Sequence, residues 1–158
     1  MSDSTPAGAA EPQTGAKRLR DLRTRLLSLA AMHSDRRVNA ELARADARKW
    51  HYAVLATLDE FGPASQAQLS QRTGIYRSDL VAVITELTGR GQVERAPDPA
   101  DRRRNVITLT RAGRGQLRKL DELLAGVEDE VFAPLTPPER QQLTRLLGAL
   151  VRHHDPQM

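Results

Sequence analysis

Residues 65–110 read SQAQLSQRTGIYRSDLVAVITELTGRGQVERAPDPADRRRNVITLT, and their punctuation decides the fold. Ser65 with Gln68 three positions on is a capping box that opens a short helix, and Gly74 ends it. Ile75 and Tyr76 form the turn into a second helix over about Arg77 to Arg90, which Gly91 stops. Leu80, Val83, Ile84 and Leu87 recur on that helix at 3/4 spacing and are its buried set. Gln92–Ala96 and Val106–Leu109 read as strands around the charged loop Pro97–Asn105, a β-hairpin. Its tip holds almost nothing apolar, so the hairpin protrudes.

Upstream, Asp46 reads as the N-cap of a helix from Ala47 to about Phe61, closed by Gly62 and Pro63. Its apolar face is His51, Val54, Leu55 and Leu58, with Trp50 and Tyr52 flanking. Before it, Leu19, Leu22, Leu26 and Leu29 stripe an amphipathic helix from Lys17 to Met32, His33 continues the stripe, and Ser34–Ala45 reads as a polar connector. Residues 1–15 carry Ala, Pro, Ser and Thr without the apolar run of a signal peptide and read as a disordered tail. Downstream, Thr110 caps a long helix whose Leu117, Leu120, Leu124, Val127 and Val131 form a narrow seam like that of a coiled coil. Thr136-Pro137-Pro138-Glu139 opens a last helix with Leu143, Leu146, Leu147 and Leu150 on one face. The expected fold is mainly α with a small β-hairpin. It divides into the tail, a helix and connector over 16–45, a central domain over 46–112 and terminal helices over 113–158.

The composition agrees. Of 158 residues 39% are apolar but only 3% aromatic, so the core is built from Leu, Val, Ile and Ala. Zero cysteines exclude disulfides and thiol catalysis. No stretch approaches the roughly 18 apolar residues of a membrane span, and the cytoplasm is the default location. Residues 61–120 carry eleven Lys/Arg against five Asp/Glu, whereas 121–158 carry three against seven. A basic centre beside an acidic flank fits a nucleic-acid-binding domain with a non-binding appendage.

Helix, short helix, turn, helix and hairpin is the order of a winged helix-turn-helix, which sets its second helix into the major groove of double-stranded DNA. The outward residues of that helix are Arg77, Ser78, Val81, Ala82 and Thr85, with Ser65 and Gln66 at the start of the short helix on the same DNA face. Arg77 suits either a guanine edge or a phosphate, and Val81 and Ala82 suit thymine methyls. Asp79 is awkward there unless it accepts from cytosine or pairs with Arg77. Arg102, Arg103 and Arg104 at the hairpin tip repel one another and need an anionic partner, such as the minor groove. Asp101 is expected to pair with a neighbouring arginine, Arg103 for choice, and hold it extended.

At this point the sequence resembles the MarR family of regulators. The likeness runs over about 46–115, through Leu55-x-x-Leu58, Gly62-Pro63, Gln68-Leu69, Gly74-Ile75, Leu87, Arg90-Gly91, Val93-x-Arg95, Pro97-Asp98-x-x-Asp101-Arg102-Arg103 and Leu109-Thr110-x-x-Gly113. It departs at Tyr76, where the family often has Asp, Ser or Thr, and at Val81 and Ala82, where it usually has polar residues. The resemblance implies a homodimer in which Leu19, Leu22, Leu26, Leu143, Leu146, Leu147 and Leu150 interlock and two wings flank a pseudo-palindromic operator. It also implies repression relieved by a small aromatic or phenolic effector. The implied effector cleft would be walled by the first helix, the helix carrying Trp50 and the long helix after the wing. Met32, His33, Trp50, His51 and Tyr52 are the candidates there, the histidines being either ligand contacts or satisfied core residues.

No cofactor is expected. Phosphate loops, nucleophile elbows and histidine–carboxylate groups at ligand spacing are missing, so the chain does not read as an enzyme. Asp121-Glu122 and Glu128-Asp129-Glu130 read as a solvated face. His153-His154-Asp155 does not read as a metal site, because adjacent helical histidines diverge by about 100°. The rival reading is a winged helix used only for protein contact, which the arginine-rich tip argues against.

Overall fold

The computed structural model describes residues 15–155, so the expected tail lies outside the described residues except for Gly15. Seven helices and one hairpin follow in the order α1 (Lys17–Arg20), α2 (Arg23–Arg44), α3 (Lys49–Phe61), α4 (Gln66–Thr73), α5 (Arg77–Gly89), β1 (Val93–Pro97), β2 (Asn105–Leu109), α6 (Arg111–Val131) and α7 (Pro137–His154).

The central domain closes as its local signals dictate. Ser65 Oγ accepts the Gln68 amide at 3.2 Å while Gln68 Oε1 accepts the Ser65 amide at 2.9 Å, completing the capping box of α4. Gly74 ends α4 at φ 70°, a left-handed conformation that glycine adopts without strain. In α5, Leu80, Val83, Ile84 and Leu87 are buried against Leu55, Leu58 and Leu69 of the same core. Strands β1 and β2 pair antiparallel with Val93 opposite Leu109 and Arg95 opposite Ile107. Ala64 exchanges backbone hydrogen bonds with Ile107, so the loop before α4 adds a third, one-residue rung to the hairpin. Thr110 Oγ1 accepts the Gly113 amide at 3.0 Å and donates to Gly91 O at 2.6 Å, locking the start of α6 to the turn before β1. Gly113 itself lies against that turn, where a Cβ would stand 2.0 Å from Gln92 O.

Three elements differ from expectation. The stretch 34–44 is helical, part of the 22-residue α2, rather than a connector. It holds no Gly or Pro, its Leu42 is fully buried with Val38 packed on the core, and Glu41 pairs with Arg37 and Arg44 along the exposed side. The leucine-striped segment is in turn broken at Asp21–Leu22, which separates the single turn of α1 from α2. Asp46 does not cap α3. It sits at φ 52°, and Arg48 occupies the N-cap, its amide donated to His51 Nδ1 at 3.1 Å. That left-handed residue lies in the short link over 45–48 between two nearly abutting helices.

Helix α6 packs on α2 and α3 through Leu117, Leu120 and Val127. Helix α7 buries no residue at all.

Candidate nucleic-acid interface

Helix α5 turns Leu80, Val83, Ile84 and Leu87 inward, so geometry alone presents Arg77, Ser78, Val81, Ala82 and Thr85 to solvent. Val81 is 48% exposed and Tyr76, at the N-cap, 79% exposed, which makes this the face with the most uncovered apolar side chain on the domain. Asp79 is only partly exposed, in the first turn of α5, where the positive end of the helix dipole favours a carboxylate. That placement accounts for an acidic residue two positions from Arg77.

The wing loop is held by its two aspartates. Asp98 Oδ1 accepts the Ala100 amide at 2.9 Å, and Asp101 Oδ1 accepts the Arg103 amide at 3.0 Å. These are Asx-turns, which fix a loop without needing a core. Asp101 also lies 3.6 Å from the Arg104 guanidinium, so its ionic partner is Arg104 rather than the expected Arg103. The reason is local: one carboxylate oxygen takes the Arg103 backbone amide and the other faces Arg104. Among the described residues no hydrogen bond or ion pair engages the Arg102 or Arg103 side chains, and both remain exposed.

Between wing and helices lies an open cleft of about 560 Å³, lined by Ser65, Gln66, Arg77, Val81, Arg95, Arg104 and Asn105. It gathers residues from α4, α5, β1 and β2 beside the N-terminus of α4, a setting suited to an anion. Arg95 belongs to this surface, although the sequence marks it only within the Val93-x-Arg95 motif and not among the candidate DNA contacts. The signal was the strand period: Arg95 stands opposite Ile107 on the core-facing side of the ribbon, just beyond where the core ends.

The five expected sensor residues do not share one wall. Trp50, His51 and Tyr52 are consecutive on a helix and therefore fan out by about 100° each. Trp50 lies half-exposed in a shallow cleft of about 410 Å³ with Asn39, Ala43, Ala47, Arg48 and Lys49, at the corner of α2 and α3. His51 is 1% exposed and faces α5, its Nε2 2.9 Å from Glu86 Oε2. With Nδ1 accepting the Arg48 amide, the neutral ring donates through Nε2, so both nitrogens are engaged within the protein. Burial, ahead of every other influence, pushes this imidazole below its ordinary value. Tyr52 turns to α6 and donates to Asp121 Oδ1 at 2.9 Å, which removes Asp121 from the purely solvated acids. Met32 and His33 are exposed on α2 and line none of these surfaces.

Glu86 accepts from Arg48 Nη2 at 2.6 and 2.7 Å as well as facing His51. The Arg48 guanidinium, then the His51 ring, hold its carboxyl below the usual range. Arg90, the C-cap of α5, pairs with Asp46 at 3.4 Å. The corner 46–51 is thus stitched to α5 by two ion pairs and a buried histidine.

The leucines of the outer helices are uncovered. Leu19, Leu22, Leu26, Leu146 and Leu150 are each roughly half exposed. Leu143 and Leu147 are partly buried and line a groove with Phe132 and Val151 between α6 and α7. His153 and His154 meet edge to face, and among the described residues no three histidines or carboxylates cluster as metal ligands. No helix among them is long and apolar enough to cross a membrane.

Residues 46–104 match the family model described as MarR family. The HTH-type transcriptional repressor NicR of Pseudomonas putida is 27% identical over 63% of this chain. The chain spans less than two thirds of the length of the curated relatives it matches, 63% and 61%. Among solved structures, the transcriptional repressor CouR bound to a 23-mer DNA duplex superposes with a TM-score of 0.79 at 28% identity, over 86% of this chain and 96% of that one. CouR from Rhodococcus jostii RHA1 bound to p-coumaroyl-CoA gives 0.75 at 25% identity, over 89% and 97%. In its winged-helix fold and its Asp-Arg-Arg wing the chain is similar to the MarR family of winged-helix regulators, over residues 46–104.

Proposed function

We propose that this chain is a sequence-specific DNA-binding repressor, acting as a homodimer in the cytoplasm and released from a pseudo-palindromic operator by a small aromatic or phenolic ligand. The observation that carries the reading is the union of an uncovered α5 face with a wing whose Arg102 and Arg103 have no partner within the described residues. Ser65, Gln66, Arg77, Ser78, Val81, Ala82 and Thr85 read and position the major groove, and Arg95 and Arg104 close the cleft on a phosphate. Asp79 steadies the helix start. Arg103 and Arg102 reach the minor groove. The repressor NicR and the DNA-bound CouR support this use of the fold. No catalytic role is proposed.

Residues 46–112 form the DNA-binding unit, and 16–45 with 113–158 supply the dimer contacts. Leu19, Leu22, Leu26, Leu146 and Leu150 are left about half exposed by the single chain, Leu143 and Leu147 are only partly covered, and a second copy covers them all. For the effector we assign the corner cleft of Trp50, walled by Arg48 and Lys49, whose cations and ring suit an aromatic carboxylate. Met32 and His33 lie exposed on α2, open to a second copy, while His51 and Tyr52 bond to Glu86 and Asp121 outside the cleft. Anisotropy titration of DNA from the promoter beside this protein's own gene tests the core claim. Specific binding with a steep salt slope is expected. Equal weak binding to a scrambled duplex, unchanged when Arg102, Arg103 and Arg104 are all replaced by Ala, points instead to the protein-contact reading.

A further inference from the structure

Arg48 belongs to two places at once. Its side chain lines the Trp50 cleft, and its guanidinium clamps both carboxylate oxygens of Glu86 on α5. The other cation of the cleft, Lys49, is paired with Asp35 of α2. An anionic ligand entering the cleft meets two cations that each already hold a carboxylate. Only one of those carboxylates sits on the helix that faces DNA. We propose that Arg48 is the relay between cleft and recognition helix: a carboxylate ligand draws the guanidinium off Glu86 and so loosens α5 from the 46–51 corner. The inference rests on the assignment of the cleft as the effector site and adds how occupancy is communicated.

The competition has a defined sign. When Arg48 leaves, Glu86 retains only the His51 Nε2–H, and that contact and Arg90, which pairs with Asp46 and donates to its carbonyl, are the polar ties left between α5 and the corner. Ligand and DNA then oppose each other, and by linkage each weakens the other by the same factor. Lys49 offers a built-in control, because its pair with Asp35 joins α3 to α2 and does not reach α5.

Trp50 is the chain's single tryptophan, so its emission reports the cleft directly. Benzoate serves as the probe, titrated against the full-length protein with excitation beyond the probe's absorption, and against its complex with a fluorescent operator duplex. Benzoate is expected to shift Trp50 emission saturably and to weaken operator affinity severalfold. Glu86→Gln should tighten benzoate by about threefold or more while bringing its effect on operator affinity close to one. Asp35→Asn should also tighten benzoate but leave the effect on DNA intact. If Glu86→Gln binds benzoate and the operator and keeps the wild-type coupling, the relay is overturned while the cleft stands. If benzoate leaves Trp50 emission unchanged in the wild type, the cleft assignment falls and the relay with it. Circular dichroism of each variant separates loss of coupling from loss of fold, and His51→Gln, which leaves the Arg48–Glu86 clamp in place, should retain most of the coupling.

Discussion

The central domain and the outer helices are built from the same leucine-rich alphabet but stand in opposite states. In residues 46–112, Val54, Leu55, Leu69, Leu80, Ile84 and Leu87 are sealed from solvent by one another. In α1, the first half of α2 and α7, leucines at similar helical spacing remain about half exposed, and α7 buries none of its residues. Spacing makes a stripe; only enough surrounding elements make a core. The first set closes into one core together with Leu42, Leu117 and Leu120, whereas the leucines of α1, α7 and the first half of α2 stay half exposed, as the proposed dimer would require.

The largest effects should separate the two. Leu55→Ala removes a fully buried side chain from the domain core and is expected to cost about 2–5 kcal/mol in denaturant unfolding, independent of protein concentration. A cost within error of zero would break the claim that this region carries its own core. Leu146→Asp with Leu150→Asp should instead raise the dimer dissociation constant by at least about 30-fold, as expected for interface hot spots, seen in analytical ultracentrifugation, with helical signal retained. A variant that still sediments as the dimer places the interface elsewhere.

Gly113→Ala should destabilise by about 1–3 kcal/mol, since the new methyl meets the Gln92 carbonyl and Leu109. Gly126→Ala on the same helix meets nothing within 4 Å and should be neutral or slightly stabilising. Equal effects at both positions would refute the tight seat of α6 against the turn before β1. Arg103→Ala should weaken operator and random DNA alike and lower the salt slope by about one. A sequence-selective loss would move Arg103 from minor-groove anchor to base reader.

The smallest effect is a pH dependence lodged inside the central region, where His51 of α3 meets Glu86 of α5. His51 is held below its ordinary value by burial, so the unfolded chain binds its proton more readily than the folded one. That contribution is fully present above about pH 6.5, the unfolded imidazole value, and is lost as pH falls toward the lower folded value. The depressed Glu86 carboxyl acts in the same direction at more acid pH, its contribution present above the ordinary carboxylate range. Thermal melts between pH 8 and 5 should therefore fall for the wild type and flatten for His51→Gln through the upper part of that window.

Much of this architecture is written locally. The Ser65–Gln68 box, the Gly74 turn, the inward set of α5 and the arginine-tipped hairpin each depend on residues a few positions apart, and all are visible in the chain as read. What escaped reading depends on distant partners. Residues 34–44 look like a connector because their polar surface hides the one face, Val38 and Leu42, that the core needs. Trp50, His51 and Tyr52 look like one aromatic wall, yet the helix sends them in three directions. Arg48 meets Glu86 38 residues away and Tyr52 meets Asp121 69 away, and no local period announces either pair.

The sequence by itself therefore determined the winged helix-turn-helix, the charge of its wing and the existence of apolar stripes beyond it. Those follow from turn chemistry, capping and periodicity, which act over a few residues. The tertiary structure alone decided that Asp101 serves Arg104, that Arg95 joins the cleft between the wing and α5, and that Arg48 binds α5 to the corner beside Trp50. Such pairings are chosen by where the packed elements bring charges together, and a linear chain of like arginines and carboxylates leaves that choice open.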